Sequence, residues 1–134
     1  MKYALVTGGS RGIGRAICQK LAQDLGYNVL INYQGNERAA NETLQSIVAA
    51  GGQGEIIKFN VSDAEEVQVV LSRWTDNNPE AELEVIVNNA GIAKDGLFMW
   101  MQKEDWQSVI DVSLHGFFHV TNFFIQKMLR KRYG

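Results

Sequence analysis

The chain has a single cysteine, Cys18, in 134 residues. One thiol excludes an intrachain disulfide framework and a cysteine-built zinc site, and it fits a reducing compartment. Cys18 lies among Ile17 and Leu21 in an apolar stretch, which suits a small core residue better than a nucleophile. No apolar run approaches the ~18 residues of a membrane span, and the amino terminus has no charged region followed by an apolar stretch and cleavage site. A soluble cytoplasmic protein with no membrane partner is the expectation. Charge of one sign is also missing: the net charge is −2, and without a long basic run nucleic acid is not the expected partner. The one locally basic stretch, Lys127 and Arg130-Lys131-Arg132, suits the last turn of a helix, where the dipole favours cations.

What is present is enough for a core. Apolar residues make up 46% of the chain, which suits one domain, residues 1–134. No repeat, linker or low-complexity segment divides it. Short runs rich in Val, Ile and Leu occur at Tyr3 to Val6, Val29 to Tyr33, Ile56 to Phe59 and Leu83 to Val87, the pattern of strands buried on both faces.

Helical stretches separate these runs. The first covers about Ile13 to Leu25, with Ile13, Ile17, Leu21 and Leu25 four apart and Gly26 as a stop. The second runs from about Glu37 to Ala50 before Gly51-Gly52, and the third is capped by Ser62 or Asp63 and carries Val67, Val70, Leu71 and Trp74. Asn77-Asn78-Pro79 breaks the chain. A long last helix, about Lys103 to Arg132, carries Trp106, Ile110, Leu114, Phe117, Phe118, Phe124 and Met128 as one stripe. Alternating strands and helices imply right-handed crossovers and a parallel sheet covered by helices on both faces, a doubly wound α/β fold of about four strands.

The segment Thr7 to Gly14, TGGSRGIG, places four glycines in eight positions between the first strand and the first helix. Glycine tolerates positive φ and lets a backbone or a ligand approach closely. In this fold the turn lies at the carboxyl edge of the sheet, where a helix offers free N–H groups and a positive dipole end to a phosphate. A P-loop needs G-x-x-x-x-G-K-[ST], but Gly9 to Gly14 is followed by Arg15-Ala16, so the phosphate lysine and the magnesium hydroxyl are both missing. G-x-G-x-x-G fails as well, because Gly12-Ile13-Gly14 is followed three residues later by Ile17. The spacing that fits is T-G-x-x-x-G-x-G, on Thr7, Gly8, Gly12 and Gly14.

That loop resembles the cofactor loop of the short-chain dehydrogenase/reductase family. Two further stretches carry the resemblance: Asn88-Asn89-Ala90-Gly91 after the fourth strand and Asn60-Val61-Ser62-Asp63 after the third. Taken alone, the first is also a plain turn and the second a helix cap. The resemblance implies a Rossmann-type sheet with a cofactor held by Thr7, Gly8, Ser10, Arg11, Gly12, Ile13, Gly14, Gln34, Asn60, Val61, Asn88, Ala90 and Gly91. NAD-selective sheets usually end the second strand with an acid, whereas this one ends Asn32-Tyr33-Gln34 with no acid until Glu37. Arg11 can form charge-assisted bonds to a phosphate, so NADP(H) is favoured; a solvated loop charge is the other reading of Arg11.

Within the family the resemblance is nearest to reductases of 3-oxoacyl-[acyl-carrier-protein] thioesters, through Thr7 to Gly14 with Arg11, Val87 to Ile92, Asp95, Met99 and Trp106. It implies an acyl-carrier-protein substrate, hydride transfer from NADPH and a homo-oligomer. The family's proton donor is the tyrosine of a Tyr-x-x-x-Lys motif, supported by a serine. Here Tyr3, Tyr27 and Tyr33 are followed four residues later by Thr7, Ile31 and Glu37, and Tyr133 is next to last. The expectation is therefore an amino-terminal part of a longer reductase, with the cofactor half present and the catalytic acid absent. Ser113 stands at the position of a family asparagine in the proton relay and lacks its amide. A nucleotide-binding module without chemistry is the alternative. Asp111, His115 and His119 are spaced to share one helix face, a polar stripe rather than a full metal ligand set.

Overall fold

The computed structural model describes residues 1–134. Four strands, β1 (Lys2–Val6), β2 (Asn28–Tyr33), β3 (Gln53–Lys58) and β4 (Glu82–Val87), alternate with α1 (Gly12–Gln23), α2 (Glu37–Ala49) and α3 (Ala64–Asn77). All pairings are parallel and the order is β3-β2-β1-β4. The sequence order reverses direction after β3, so β1 and β4 are neighbours and the turns leaving them open on the same edge. Beyond β4 come a short 3₁₀ turn (Phe98–Trp100), α4 (Lys103–Ile110), a π-type turn (Asp111–His115) and α5 (Gly116–Lys131).

Two apolar clusters sandwich the sheet. Leu5, Leu30, Phe59, Val67, Leu71, Trp74, Val120 and Phe124 join one face to α3 and α5, and Ala4, Val6, Cys18, Leu21, Ile31 and Ile47 join the other to α1 and α2. Alternate residues of β1 and β2 feed the two clusters, as the two-residue period of a strand requires. The expectation of strands buried on both faces holds for β1 and β2, whereas β3 and β4 bound the sheet and are only partly covered. β3 begins at Gln53, earlier than its apolar run, because an edge strand tolerates polar residues.

The helix stripes are rotated from the apolar rows in the sequence. On α1 the buried face is Gly14, Cys18, Leu21 and Ala22, while Ile13 and Leu25 are exposed. The expected single long helix is interrupted by the π turn, and the residues it buries are Gly116, Val120, Phe124 and Met128; Trp106, Leu114, Phe117 and Phe118 face outward. Asp63, not Ser62, caps α3, its Oδ1 accepting the Glu66 amide at 3.0 Å. Cys18 is fully buried, and burial pushes its thiol up to about 12, which keeps it protonated and unreactive. At the end of α5, Lys131 bonds Glu82 on β4, so one cation of the basic stretch is a structural tie. No helix is long and apolar enough to cross a membrane.

Candidate functional site

A cleft of about 600 Å³ opens at the carboxyl edge of the sheet, where the turns after β1, β2, β3 and β4 converge. Its size is that of an ordinary small-molecule site. Gly8, Ser10, Arg11, Gly12, Ile13, Gly14, Gln34, Val61, Ala90 and Gly91 all lie on its wall. Four segments far apart in sequence therefore meet in one place. Thr7 lies buried beneath the wall, and Asn60, Asn88 and Ser113 are off it. Asn60 turns back to accept the Ser62 amide and hydroxyl, Asn88 donates to Thr121 Oγ1, and Ser113 is exposed in the π turn beside the cleft-lining Val112.

The glycine loop is shaped by contacts that no side chain could share. A Cβ on Gly14 would lie 2.1 Å from the Gly8 carbonyl oxygen and 2.6 Å from Asn89 Nδ2. Gly8 and Gly12 have φ of +64° and +56°, the left-handed region that glycine enters without cost. The loop can therefore fold tightly enough to bring the first turn of α1 to the cleft.

Hydrogen bonds hold it there from both sides. Thr7 Oγ1 accepts the amides of Asn89 and Ala90 at 3.0 Å each, and Asn89 Nδ2 donates to the carbonyls of Thr7 and Gly8 at 3.1 Å. On the other side Asn32 Oδ1 accepts the Gly8 amide at 3.1 Å, while its Nδ2 donates to the Phe59 carbonyl at 3.0 Å. Asn32 thus ties the loop to the ends of β2 and β3. Asn32 and Asn89 lie outside the set implied by sequence; each amide serves several backbone groups at once, as buried polar side chains do.

The electrostatics of the cleft are one-sided. Arg11 is the only charged residue on its wall, which the Gln34–Asn36 turn also lines. The start of α1 has no side-chain cap and no acid in its first turn. By contrast, α2 is capped by Asn36 and carries Glu37, and α3 is capped by Asp63 and carries Glu65 and Glu66. Unmet amides and a positive dipole end are thus left at the helix that points into the cleft. Phe59, Val61, Ala90, Ile92 and Val112 supply an apolar floor. The pair of histidines is used elsewhere: His115 Nδ1 is 2.9 Å from Asp111 Oδ1, and His119 Nδ1 is 2.8 Å from the Val61 carbonyl oxygen. A hydrogen bond from Gln107, followed by His115, holds the Asp111 carboxyl below its ordinary range.

Fold and cleft together define a Rossmann-type α/β protein with a glycine-rich turn and an uncapped helix start at its switch point. The chain belongs to the short-chain dehydrogenase family, whose model matches residues 2–134. It is 43% identical, over 99% of its length, to the 3-oxoacyl-[acyl-carrier-protein] reductase FabG of Staphylococcus aureus, and 40% identical, over the same share, to the 3-oxoacyl-[acyl-carrier-protein] reductase of Synechocystis. In each case it covers 53% of the relative. The chain therefore spans about half the length of the curated relatives it matches. A metagenomic short-chain oxidoreductase solved in complex with NADP superposes with a TM-score of 0.89 at 29% identity, over 99% of this chain and 59% of that one.

Proposed function

We propose that the cleft binds NADP(H), and that the chain is the cofactor-holding, amino-terminal part of an NADPH-dependent reductase of 3-oxoacyl-[acyl-carrier-protein]. The observation that carries this reading is the uncapped, acid-free start of α1, with a single cation, Arg11, at its N-cap position. The amides of Gly12, Ile13 and Gly14 take the pyrophosphate, as helix N-termini do. Arg11, with Gln34 across the cleft, takes the 2′-phosphate, and no acid on the wall opposes it. Val61 and Ala90 form the apolar bed for the adenine and its ribose, with Gly91 and Ser10 completing the wall. Thr7 acts from beneath by fixing the turn that bears Ala90. Asn60 acts through the Ser62 backbone it braces and Asn88 by tying the end of β4 to Thr121 on α5, rather than by contact.

The substrate class follows from the relatives, both of which are described as 3-oxoacyl-[acyl-carrier-protein] reductases. Hydride transfer to a ketone needs a proton donor at the carbonyl oxygen, and no tyrosine of these residues has a lysine four positions on. Ser113, exposed and one residue past the cleft wall, is at most a relay position. These residues alone bind cofactor without turnover. A cytoplasmic homo-oligomer is part of the same reading, supported by the outward-facing Phe117 and Phe118 of α5 and by β4 at the sheet edge.

A non-catalytic nucleotide-binding module is the second reading, favoured by the missing Tyr-x-x-x-Lys. Fluorescence titration and a reductase assay distinguish the two. The chain should enhance NADPH emission more than NADH emission at equal concentration. It should give no turnover of a 3-oxoacyl thioester, while a chain that also carries a Ser and Tyr-x-x-x-Lys half should turn over. Absence of NADPH binding defeats both readings, and binding without turnover in the longer chain defeats the first.

A further inference from the structure

Arg15 stands where a P-loop would place its phosphate lysine, yet its guanidinium is not on the cleft wall. It turns instead into the seam between α1 and α2. Nη2 donates to the Ser10 carbonyl at 2.9 Å and to the Ala39 carbonyl at 3.1 Å, and lies 3.3 Å from Glu42 Oε2. Nε donates to Thr43 Oγ1 at 2.9 Å and reaches the Ser10 carbonyl at 3.2 Å. The Thr43 hydroxyl, fully buried, passes the contact on to the Ser10 carbonyl at 2.9 Å. Glu42 is shared with Arg38, whose Nε is 3.4 Å from Oε1.

Nη2 alone bridges the two sides of one corner of the cleft, while Nε engages the Thr43 hydroxyl between them. Ser10 is the peptide immediately before Arg11, whose own side chain makes no hydrogen bond or ion pair and so goes where that peptide sends it. Ala39 is the residue whose amide Asn36 caps at 2.9 Å, so its carbonyl belongs to the turn that follows Gln34–Asn36. One guanidinium therefore bridges the peptide before Arg11 and the first turn of α2, which follows Gln34–Asn36. A lysine has a single nitrogen and so cannot bridge the two carbonyls and engage the Thr43 hydroxyl through a second, fixed donor as Arg15 does. Elsewhere this seam has only the Gln19–Ser46 side-chain bond, at 2.9 Å and well down the helices.

We propose that Arg15 is a positioning residue which, without touching the cofactor, sets the preference for a 2′-phosphorylated dinucleotide by fixing Arg11 against the Gln34–Asn36 turn. The inference rests on the NADP(H) reading above. The pyrophosphate, held by the amides of α1, is outside this control, so NADH binding is spared.

The test is a double-mutant cycle on dinucleotide affinity with the 134-residue chain, using NADPH and NADH as probes. Arg15→Met, which keeps the length and removes the donors, should weaken NADPH by about tenfold or more, the range of one lost charge-assisted contact, and change NADH by less than about twofold. In an Arg11→Ala background the same change should add less than about twofold for NADPH, because Arg15 acts through Arg11. Arg15→Lys, whose single nitrogen can reach the two carbonyls but not Thr43 as well, should keep part of the selectivity, while Glu42→Gln should keep all of it. If Arg15→Met fails to fold, Thr43→Val, similar in volume but without the hydroxyl, carries the same test with a smaller loss confined to NADPH. Equal weakening of both cofactors, a full extra loss in the Arg11→Ala background, or undiminished selectivity in Arg15→Met would overturn the proposal. A wild-type chain with no preference for NADPH would overturn the cofactor reading, and this proposal with it.

Discussion

Gly14→Ala and Gly12→Ala differ by two positions in the same loop, and the structure gives them unequal costs. At Gly12 a new Cβ meets nothing within 4 Å, so only the φ of +56° opposes it. Holding a non-glycine residue there costs about 1–2 kcal/mol. At Gly14 the new Cβ would stand 2.1 Å from the Gly8 oxygen and 2.9 Å from the Gly8 carbonyl carbon, where 3.4 Å is ordinary contact. The Gly8 peptide has to retreat by about 1 Å in a closely packed region. Gly8 is pinned on both of its flanking peptides, by Asn89 Nδ2 on its carbonyl and Asn32 Oδ1 on its amide, both at 3.1 Å. Two hydrogen bonds at about 1 kcal/mol each and an overpacking term of about 1–3 kcal/mol give a loss of about 3–5 kcal/mol. Such a loss is a large part of the about 5–15 kcal/mol that holds a domain folded. Urea unfolding followed by Trp74 fluorescence measures it, and the Gly14→Ala midpoint should fall far below that of Gly12→Ala. Equal midpoints for the two variants would refute the argument that close backbone approach, rather than φ alone, dictates glycine at position 14.

Thr7→Val should strand the Ala90 amide, whose acceptor is Thr7 Oγ1, at a cost of about 1–3 kcal/mol; thermal unfolding checks the cost, and Thr7→Ser should restore stability. The Lys131 bond holds the Glu82 carboxyl below its ordinary value of 4.5. A depressed folded-state pKa stabilises above the unfolded value and loses that contribution as pH falls through the folded one. Glu82→Gln should therefore lower stability at neutral pH and match wild type once the pH is well below 4.5, and a constant difference down to acid would contradict the tie. Phe117 and Phe118 of α5 are exposed and β4 is an edge strand, so sedimentation velocity should show self-association that Phe117→Glu weakens; a monodisperse monomer at high concentration would count against it.

Much of the fold was legible because apolar run length and glycine position carry it. β1 and β2 stand where Val, Leu and Ile cluster, and α1 starts where the glycines end. The spacing of Ile13, Ile17, Leu21 and Leu25 misplaced the buried face of α1, because the close packing of Gly14 and Cys18 on the loop and sheet turns that face inward. The π turn left no mark in the sequence, since Asp111 to His115 keeps a helical pattern on either side. At the cleft, the glycine loop, Gln34, Val61 and Ala90 were visible as motifs beside strands. Asn32 was not, because its role depends on β3 lying next to β2, a tertiary fact. Arg15 was read only as a departure from a P-loop; its partners on α2 lie 24 to 28 positions away in sequence.

The most direct measurement is an NADPH titration of the ¹⁵N-labelled chain, followed by amide chemical shifts. The amides of Arg11, Gly12, Ile13 and Gly14 should move most and saturate together, with smaller shifts at Gln34, Val61 and Ala90, and none at the Lys2–Glu84 pair beyond the opposite edge of the sheet. Saturating shifts that leave Gly12 to Gly14 unmoved, or no shifts at millimolar NADPH, would contradict the claim that the bare start of α1 receives the pyrophosphate.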